Sequence, residues 1–248
     1  MPAKEKIRSL FDGIAPDYDR LNHILSLDID KIWRRKAVKS ALDSNGGKTL
    51  INKNSKNTDS TNLKILDVAT GTGDFAIELA RKSNEDTRIT GLDISEGMLN
   101  IGICKTEKAG LAHKISFVKS AVEEMPFEDA RFDRITCAFG VRNFEDRELG
   151  LKEMHRVLAP GGKIVILELS MPRNKILRQL YDLYFKLVLP HIGGMVSGDK
   201  SAYEYLQASV HAFPPPEDFC DIIRNSGFSD VRTKSLSMGI CRMFTASK

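Results

Sequence analysis

The sequence predicts an α/β protein built on a doubly wound, mostly parallel sheet. Three observations carry this. From Leu63 onward, short apolar runs alternate with amphipathic helical stretches. The apolar runs, KIVILEL among them, are nearly continuous, as strands covered on both faces are. A glycine-rich turn, ATGTGD, joins the first run to the first helix behind it.

Along the chain, Lys4 to Leu42 reads as helical, with apolar positions at Ile7, Leu10, Phe11, Ile14, Leu21, Ile24 and Leu25, broken at Pro16. Residues 43–62 are polar, rich in Gly, Asn and Ser, and aperiodic, which predicts a mobile surface loop without a function of its own. Five strands follow, in KILDVA, RITGLDI, KISFV, FDRITCAF and GKIVILEL. Helices over Phe75–Lys82, Met98–Ala109 and Arg147–Leu158 separate them, and Pro160-Gly161-Gly162 marks the turn before the fifth strand. Beyond Met171, residues Ile176, Leu177, Leu180, Tyr181, Tyr184, Phe185 and Val188 form one wide apolar helical face. A helix over Tyr203–Ser209 and the run Pro214-Pro215-Pro216 come next. The last segment reads as two strands joined near Met238-Gly239.

Composition narrows the function classes. The chain has 248 residues, 42% apolar and 28% charged, enough for one full core. A net charge of +4, scattered apart from Lys31, Arg34, Arg35 and Lys36 and without interleaved aromatics, speaks against a nucleic-acid partner. Cys104, Cys137, Cys220 and Cys241 lie far apart, without metal-ligand spacing, and read as reduced thiols. With no signal core and no run of 18 apolar residues, the reading is a soluble cytoplasmic protein.

The glycine turn sets the ligand question. Gly71, Gly73 and Ala76 fit the G-x-G-x-x-G/A pattern, and Asp93 falls about 20 residues on, where a ribose-binding acid belongs. That spacing alone suits a nicotinamide dinucleotide. Asp67 in the strand and Asp74 at the helix start argue otherwise, since two carboxylates beside a pyrophosphate would cost on the order of a few kcal/mol. S-adenosylmethionine, with its sulfonium and ammonium groups, suits them better. Asp93 would then hold the ribose hydroxyls and Met98 lie against the adenine. The plainer readings are a tight turn, a helix cap at Asp93 and a core methionine at Met98.

DVATGTGD, GLDISEGML, MPF and RVLAPGG resemble the successive motifs of class I methyltransferases. YDRLNHILSLDIDKIWR and FGVRNFEDRELGLKEMHRVLAPGGKIVILELS are similar to the two signatures of the ubiquinone/menaquinone biosynthesis C-methyltransferases, and YDLYFKLVLPHIGGMVSGDKSAYEYLQASVHAFP to their C-terminal lid. The resemblance spans nearly the whole chain outside residues 43–62. It implies a seven-stranded sheet with an antiparallel last strand, N-terminal acceptor or lid helices over 1–42, and a methyltransferase domain over 63–248 with a helical insertion at about 173–216. It implies S-adenosylmethionine held by Asp67, Gly71, Thr72, Gly73, Asp93 and Met98, with main-chain help from Ala121 and Val122. This sequence departs from the family pattern at Asp30, where a His is usual, and at Ala121, Ala138 and Ala159.

The implied reaction is methylation of a ring carbon of a polyprenylated quinol of demethylmenaquinol type. The cofactor supplies the reactive group; the protein aligns the acceptor and excludes water. A ring carbon is nucleophilic only when a neighbouring hydroxyl is deprotonated or nearly so. Arg142, after the fourth strand, is expected to stabilise that phenolate, with Asn143 sharing the task or holding Arg142. The proton acceptor is water, His211, or Tyr18 through a relay. No metal is implied, and His23, His113, His155 and His191 receive no role. The helix around Tyr181 to Val188 is core or borders a passage for an isoprenoid tail, and Lys175, Arg178 and Lys186 permit transient contact with a membrane surface. A homodimer is compatible with the sequence. The naphthoquinol and benzoquinol activities share these motifs. Methylation of another small acceptor, a non-catalytic scaffold and a nicotinamide enzyme stand as alternatives.

Overall fold

The computed structural model describes residues 4–43, 62–184 and 201–248. Most of the polar stretch 43–62, and Phe185, Lys186, Val188 and His191 of the insertion, lie outside the described residues. The strands are β1 (Lys64–Val68), β2 (Arg88–Asp93), β3 (Ile115–Lys119), β4 (Phe132–Ala138), β5 (Leu158–Leu169), β6 (Ser229–Leu236) and β7 (Cys241–Ser247). The helices are α1 (Lys4–Ile14), α2 (Tyr18–Ser26), α3 (Ile29–Leu42), α4 (Asp74–Lys82), α5 (Glu96–Lys108), α6 (Arg147–Val157), α7 (Lys175–Leu183), α8 (Ser201–Ala212) and α9 (Pro216–Asn225).

Seven strands make one sheet in the order β3-β2-β1-β4-β5-β7-β6. All pairs are parallel except those of β7, which runs antiparallel to both β5 and β6. The expected architecture stands. Because the winding reverses between β1 and β4, a crevice opens beyond their carboxyl ends, where ligands of open α/β sheets bind.

Period-two alternation divides the core into two layers. Ile65, Ile89, Val165 and Leu167 meet Trp33 and Ala37 of α3 and Phe75 and Leu79 of α4 on one face. Leu66, Val68, Ile135 and Ile166 meet Leu151 and Met154 of α6 and Phe219 and Ile223 of α9 on the other. Phe219 and Phe244 are fully buried, edge to face at 4.8 Å, and truncating either to Ala is worth about 3–5 kcal/mol of stability.

The local differences from expectation have physical causes. The N-terminal stretch breaks twice rather than once. Pro16 sits in a 3-10 turn over Ala15–Asp17, and Leu27 and Asp28 both take positive φ (51° and 61°), ending α2 and redirecting the chain into α3. Pro160-Gly161-Gly162 is an excursion inside β5: Phe132 pairs with Leu158 and Arg134 with Lys163. Gly161 adopts φ +74°, and the Gly161 N–H and Gly162 carbonyl pair with the main chain of Lys248. Helix α9 was not anticipated, although Pro216 at its first position is a helix-start signal.

Candidate active site

Past Val68 the chain must turn sharply to lay α4 on the sheet. Ala69, Gly71 and Gly73 do so with positive φ of 51°, 57° and 78°. Phe139, just past β4, is also left-handed at 61°. A Cβ on the next residue, Gly140, would stand 2.5 Å from the Ala69 Cβ, so the two strand-end turns nearly touch. Left-handed non-glycine residues are disfavoured and collect at functional sites. The Gly71 N–H donates to Asp93 Oδ2 at 2.8 Å, and the Ser95 N–H to Asp93 Oδ1 at 2.9 Å, so one carboxylate ties the glycine turn to the end of β2. Burial raises the pKa of Asp93 against these N–H groups, and the Asp12 charge adds to the rise.

The N-terminal helices are fastened to this turn. Asp12 of α1 accepts from the Ser95 hydroxyl at 2.5 Å and from the Gly97 N–H at 3.1 Å. Lys4 Nζ lies 3.2 Å from Glu124, 3.8 Å from Glu123 and 3.9 Å from Glu145. Asp19 of α2 accepts from the Thr72 hydroxyl and from Lys105 Nζ, each at 2.5 Å. Lys105 also donates to Asp74 at 2.5 Å, and Arg34 of α3 stands 3.4 Å from Asp74.

Beneath α1 lies a cleft of about 700 Å³, open mouth included. Its walls include Gly71, Asp93, Met98, Ala121, Val122 and Asn143, with Ile7, Phe11 and Tyr18 from the N-terminal helices. Asp93, Glu123 and Glu145 face it against one cation, Lys4, which those same glutamates engage. Among the described residues a diphosphate finds no free positive partner on this wall. A sulfonium and an ammonium do find negative ones.

A second cavity, of about 1220 Å³ with its open mouth included, adjoins it, and Tyr18 and Phe139 line both. Its lining is chiefly apolar: Trp33 and Ile29 of α3, Leu177 and Leu180 of α7, Leu206 of α8, and Ile240, with Tyr181 beside them. Arg142 is also on this wall, only 9% exposed. Its main-chain N–H and Nη1 donate to Glu168 Oε2 and Oε1, at 3.0 Å and 2.8 Å, and Nη1 also reaches the Phe139 carbonyl. Burial, the largest single influence, lowers the Arg142 pKa, but the Glu168 charge and hydrogen bond together with Tyr18 and Tyr205 outweigh it and the value is raised. Asn143 Oδ1 accepts from the Tyr205 hydroxyl at 2.9 Å.

A family model described as the ubiE/COQ5 methyltransferase family matches residues 2–248. The chain belongs to the ubiE/COQ5 methyltransferase family. Among its relatives, the demethylmenaquinone methyltransferase of Bacteroides fragilis is 46% identical, over 98% of this chain and 93% of that one. The ubiquinone/menaquinone biosynthesis C-methyltransferase UbiE of Geobacter sulfurreducens is 43% identical, over 98% and 89%. Solved structures share the fold at lower identity: a methyltransferase of Methanococcus maripaludis (TM-score 0.64, 21% identical, 94% and 91% covered) and the [4+2]-cyclase SpnF (0.69, 16%, 100% and 97%).

As a member of this family the methyltransferase uses S-adenosylmethionine, and the first cavity suits it. Asp93 keeps lone pairs for a ribose diol, and Leu92, Met98 and Val122 provide an apolar slot for a flat base. Three expected site residues sit elsewhere. Asp67 is 1% exposed and lines neither cavity; both its oxygens accept hydroxyls, from Thr70 at 2.6 Å and Thr136 at 2.7 Å. Burial pushes its pKa up to about 6. Thr72 points away from the cleft to Asp19 and Lys105. Among the described residues His211 lines neither cavity: its ring nitrogens meet the Gln207 carbonyl at 2.8 Å and Asp182 at 3.1 Å at the surface. Asp74, for its part, is neutralised by Arg34 and Lys105, which hold its pKa below the ordinary carboxylate range despite burial. The excess negative charge comes instead from Asp93, Glu123 and Glu145.

Asp30 accepts from Ser26 at 2.6 Å, lies 3.1 Å from His23 and pairs with Arg34. With Asp28 it brings three metal-capable side chains within 4.8 Å, but Arg34 and Lys31 already supply the positive charge there. Sequence reasoning missed Asp12, Lys105 and Glu168. Only Glu168 left a trace, as the one acid in the apolar run KIVILEL.

Proposed function

We propose that this methyltransferase transfers the sulfonium methyl of S-adenosylmethionine to a ring carbon of a polyprenylated hydroquinol, demethylmenaquinol in menaquinone biosynthesis. The observation that carries the reading is the second cavity. It is large and chiefly apolar, has the buried Arg142 guanidinium on its wall with the Arg34–Asp30 pair beside it, and shares Tyr18 and Phe139 with the cofactor cleft. The names of the Bacteroides and Geobacter relatives support the same acceptor class.

When bound, the cofactor supplies an electrophilic methyl group. The chain's own residues do the rest. Asp93 and the glycine turn hold the adenosyl end, and α1 with Phe11 and Ile7 shields it from water. Trp33, Phe139 and Tyr181 confine the acceptor ring in the second cavity beside Arg142. Alignment of this kind is worth several kcal/mol. Arg142 stabilises the phenolate left when the hydroxyl beside the reacting carbon loses its proton, the charge that then flows into the ring as its carbon attacks the methyl; losing such a donor typically lowers kcat by about 10²–10³. Asn143, held by Tyr205, keeps the turn carrying Arg142 in place. The ring proton leaves to water or through Tyr18, whose hydroxyl hydrogen-bonds Asn22; burial raises its pKa and Arg142 counters the rise.

The test is an assay with S-adenosylmethionine and short-tailed demethylmenaquinol under reducing conditions. Methylated product is expected, together with a loss of about 10²-fold or more in kcat for Arg142→Ala and unchanged affinity for S-adenosylhomocysteine. Because the Geobacter relative's name joins ubiquinone to menaquinone, the corresponding benzoquinol belongs beside it. No transfer to either quinol would sink the reading.

The tail of such a substrate lives in lipid. Leu27 and Leu180 at the second cavity are 79% and 58% exposed, Ile176 and Leu183 of α7 are exposed as well, and Lys175 and Arg178 lie on the same helix. These features support transient contact with an anionic membrane surface, measurable by co-sedimentation with vesicles. Among the described residues no helix is long and apolar enough to cross a membrane.

A further inference from the structure

A buried arginine needs a reason to hold one orientation, and here the reason is a single carboxylate. Glu168 is fully buried near the end of β5 and lines neither cavity. Its Oε2 accepts from the Arg142 main-chain N–H, and its Oε1 from Arg142 Nη1 and from the Leu169 N–H at 2.9 Å. One acid therefore grips both the backbone and the side chain of the same arginine, closing a ring that leaves the guanidinium little freedom. The Phe139 carbonyl takes Nη1 as well. Among the described residues Arg142 Nε, buried with the rest of the group, has no acceptor, as is the case for Arg147 Nε and Arg242 Nε. Arg142 lines the cavity proposed for the acceptor, so the grip of Glu168 decides how the guanidinium meets that cavity.

We propose that Glu168 is a positioning residue for methyl transfer: it holds the Arg142 guanidinium in one orientation on the wall of the acceptor cavity. The proposal rests on the quinol-methylating reading above. Glu168 itself touches no reactant, and everything it does passes through Arg142. It also supplies the counter-charge that makes a buried guanidinium tolerable, so removing it alone strands a cation.

The experiment is a double-mutant cycle on the full chain, with Glu168→Gln, Arg142→Gln and the double variant. It is read by kcat and KM for the quinol, S-adenosylhomocysteine affinity, and thermal melting. Glu168→Gln is expected to lower kcat by about 10-fold or more, with KM for the quinol changed less than threefold and S-adenosylhomocysteine affinity unchanged. In the Arg142→Gln background the same change is expected to have no further effect on kcat, since the group it orients is gone. Equal losses in both backgrounds would show Glu168 acting on the fold instead, and a kcat within threefold of wild type in Glu168→Gln would overturn the proposal outright. Should Glu168→Gln fail to fold, the double variant, which strands no charge, is compared with Arg142→Gln: equal kcat supports the proposal and a lower one refutes it. If the unsubstituted chain methylates neither quinol, it is the functional reading that fails, and S-adenosylhomocysteine binding shows whether the cofactor half survives.

Discussion

Lys105 Nζ, on α5, lies 2.5 Å from Asp19 on α2 and equally close to Asp74, the first residue of α4. One ammonium thus joins the N-terminal helices to the glycine turn. Lys105→Met leaves Asp19 without its cation and Asp74 with Arg34 at 3.4 Å, at a partly buried site. It is expected to weaken S-adenosylhomocysteine binding by about 10-fold while the fold persists, because α2 loses its grip on the cleft. Titration calorimetry decides; unchanged affinity would detach α2 from the cofactor site.

Asp93 takes both the Gly71 and Ser95 N–H groups while facing the cleft. Asp93→Ala is expected to weaken S-adenosylhomocysteine binding by about 100-fold or more, and Asp93→Asn, which keeps one acceptor oxygen, by about 10-fold. If Asn and Ala bound alike, the carboxylate would matter for the turn and not for the ligand.

The pH dependence of stability has a definite sign at Asp67. Its folded-state pKa is about 6, raised by burial, against about 3.9 in an unfolded chain. Between those values the folded state holds a proton that the unfolded state has lost. The stability linked to this group is full below about pH 4, falls as pH rises, and is gone above about pH 6, amounting to about 3 kcal/mol at most. Urea titrations should show Asp67→Asn gaining on the unsubstituted protein across that window and running parallel to it at higher pH. Parallel curves throughout would mean that Asp67 titrates normally.

His211 spends both ring nitrogens on Gln207 and Asp182 at the surface. His211→Ala is accordingly expected to keep kcat within about twofold at every pH, with any effect confined to the packing of α8 on α7. Loss of an ascending limb in the pH–rate profile would restore it as the base.

The strands, the glycine turn and the Asp93 position were legible because each depends on neighbours a few residues away. Burial on both faces makes KIVILEL continuous, and a strand-to-helix reversal demands left-handed residues such as Gly71 and Gly73. The break at Leu27-Asp28 was hidden, since neither residue announces a positive φ. Helix α9 is hidden behind a proline run whose last member starts it. Asp67 and Asp74 were correctly seen beside the turn, but a sequence does not say which carboxylate faces a cavity and which already has a lysine.

The sheet, its glycine-rich crevice and the family follow from local period, turn chemistry and motif order along the chain. The pairing of distant side chains follows only from how the elements pack. Glu168 meets Arg142 from 26 residues away, Asp12 meets Ser95 from 83, and Lys105 meets Asp19 from 86. Such contacts leave no periodic trace, because a polar residue on a helix reads the same whether it faces water or an ion pair. Only the packing of α1, α2 and β5 around the crevice separates the two, through the penalty on any charge left buried without a partner.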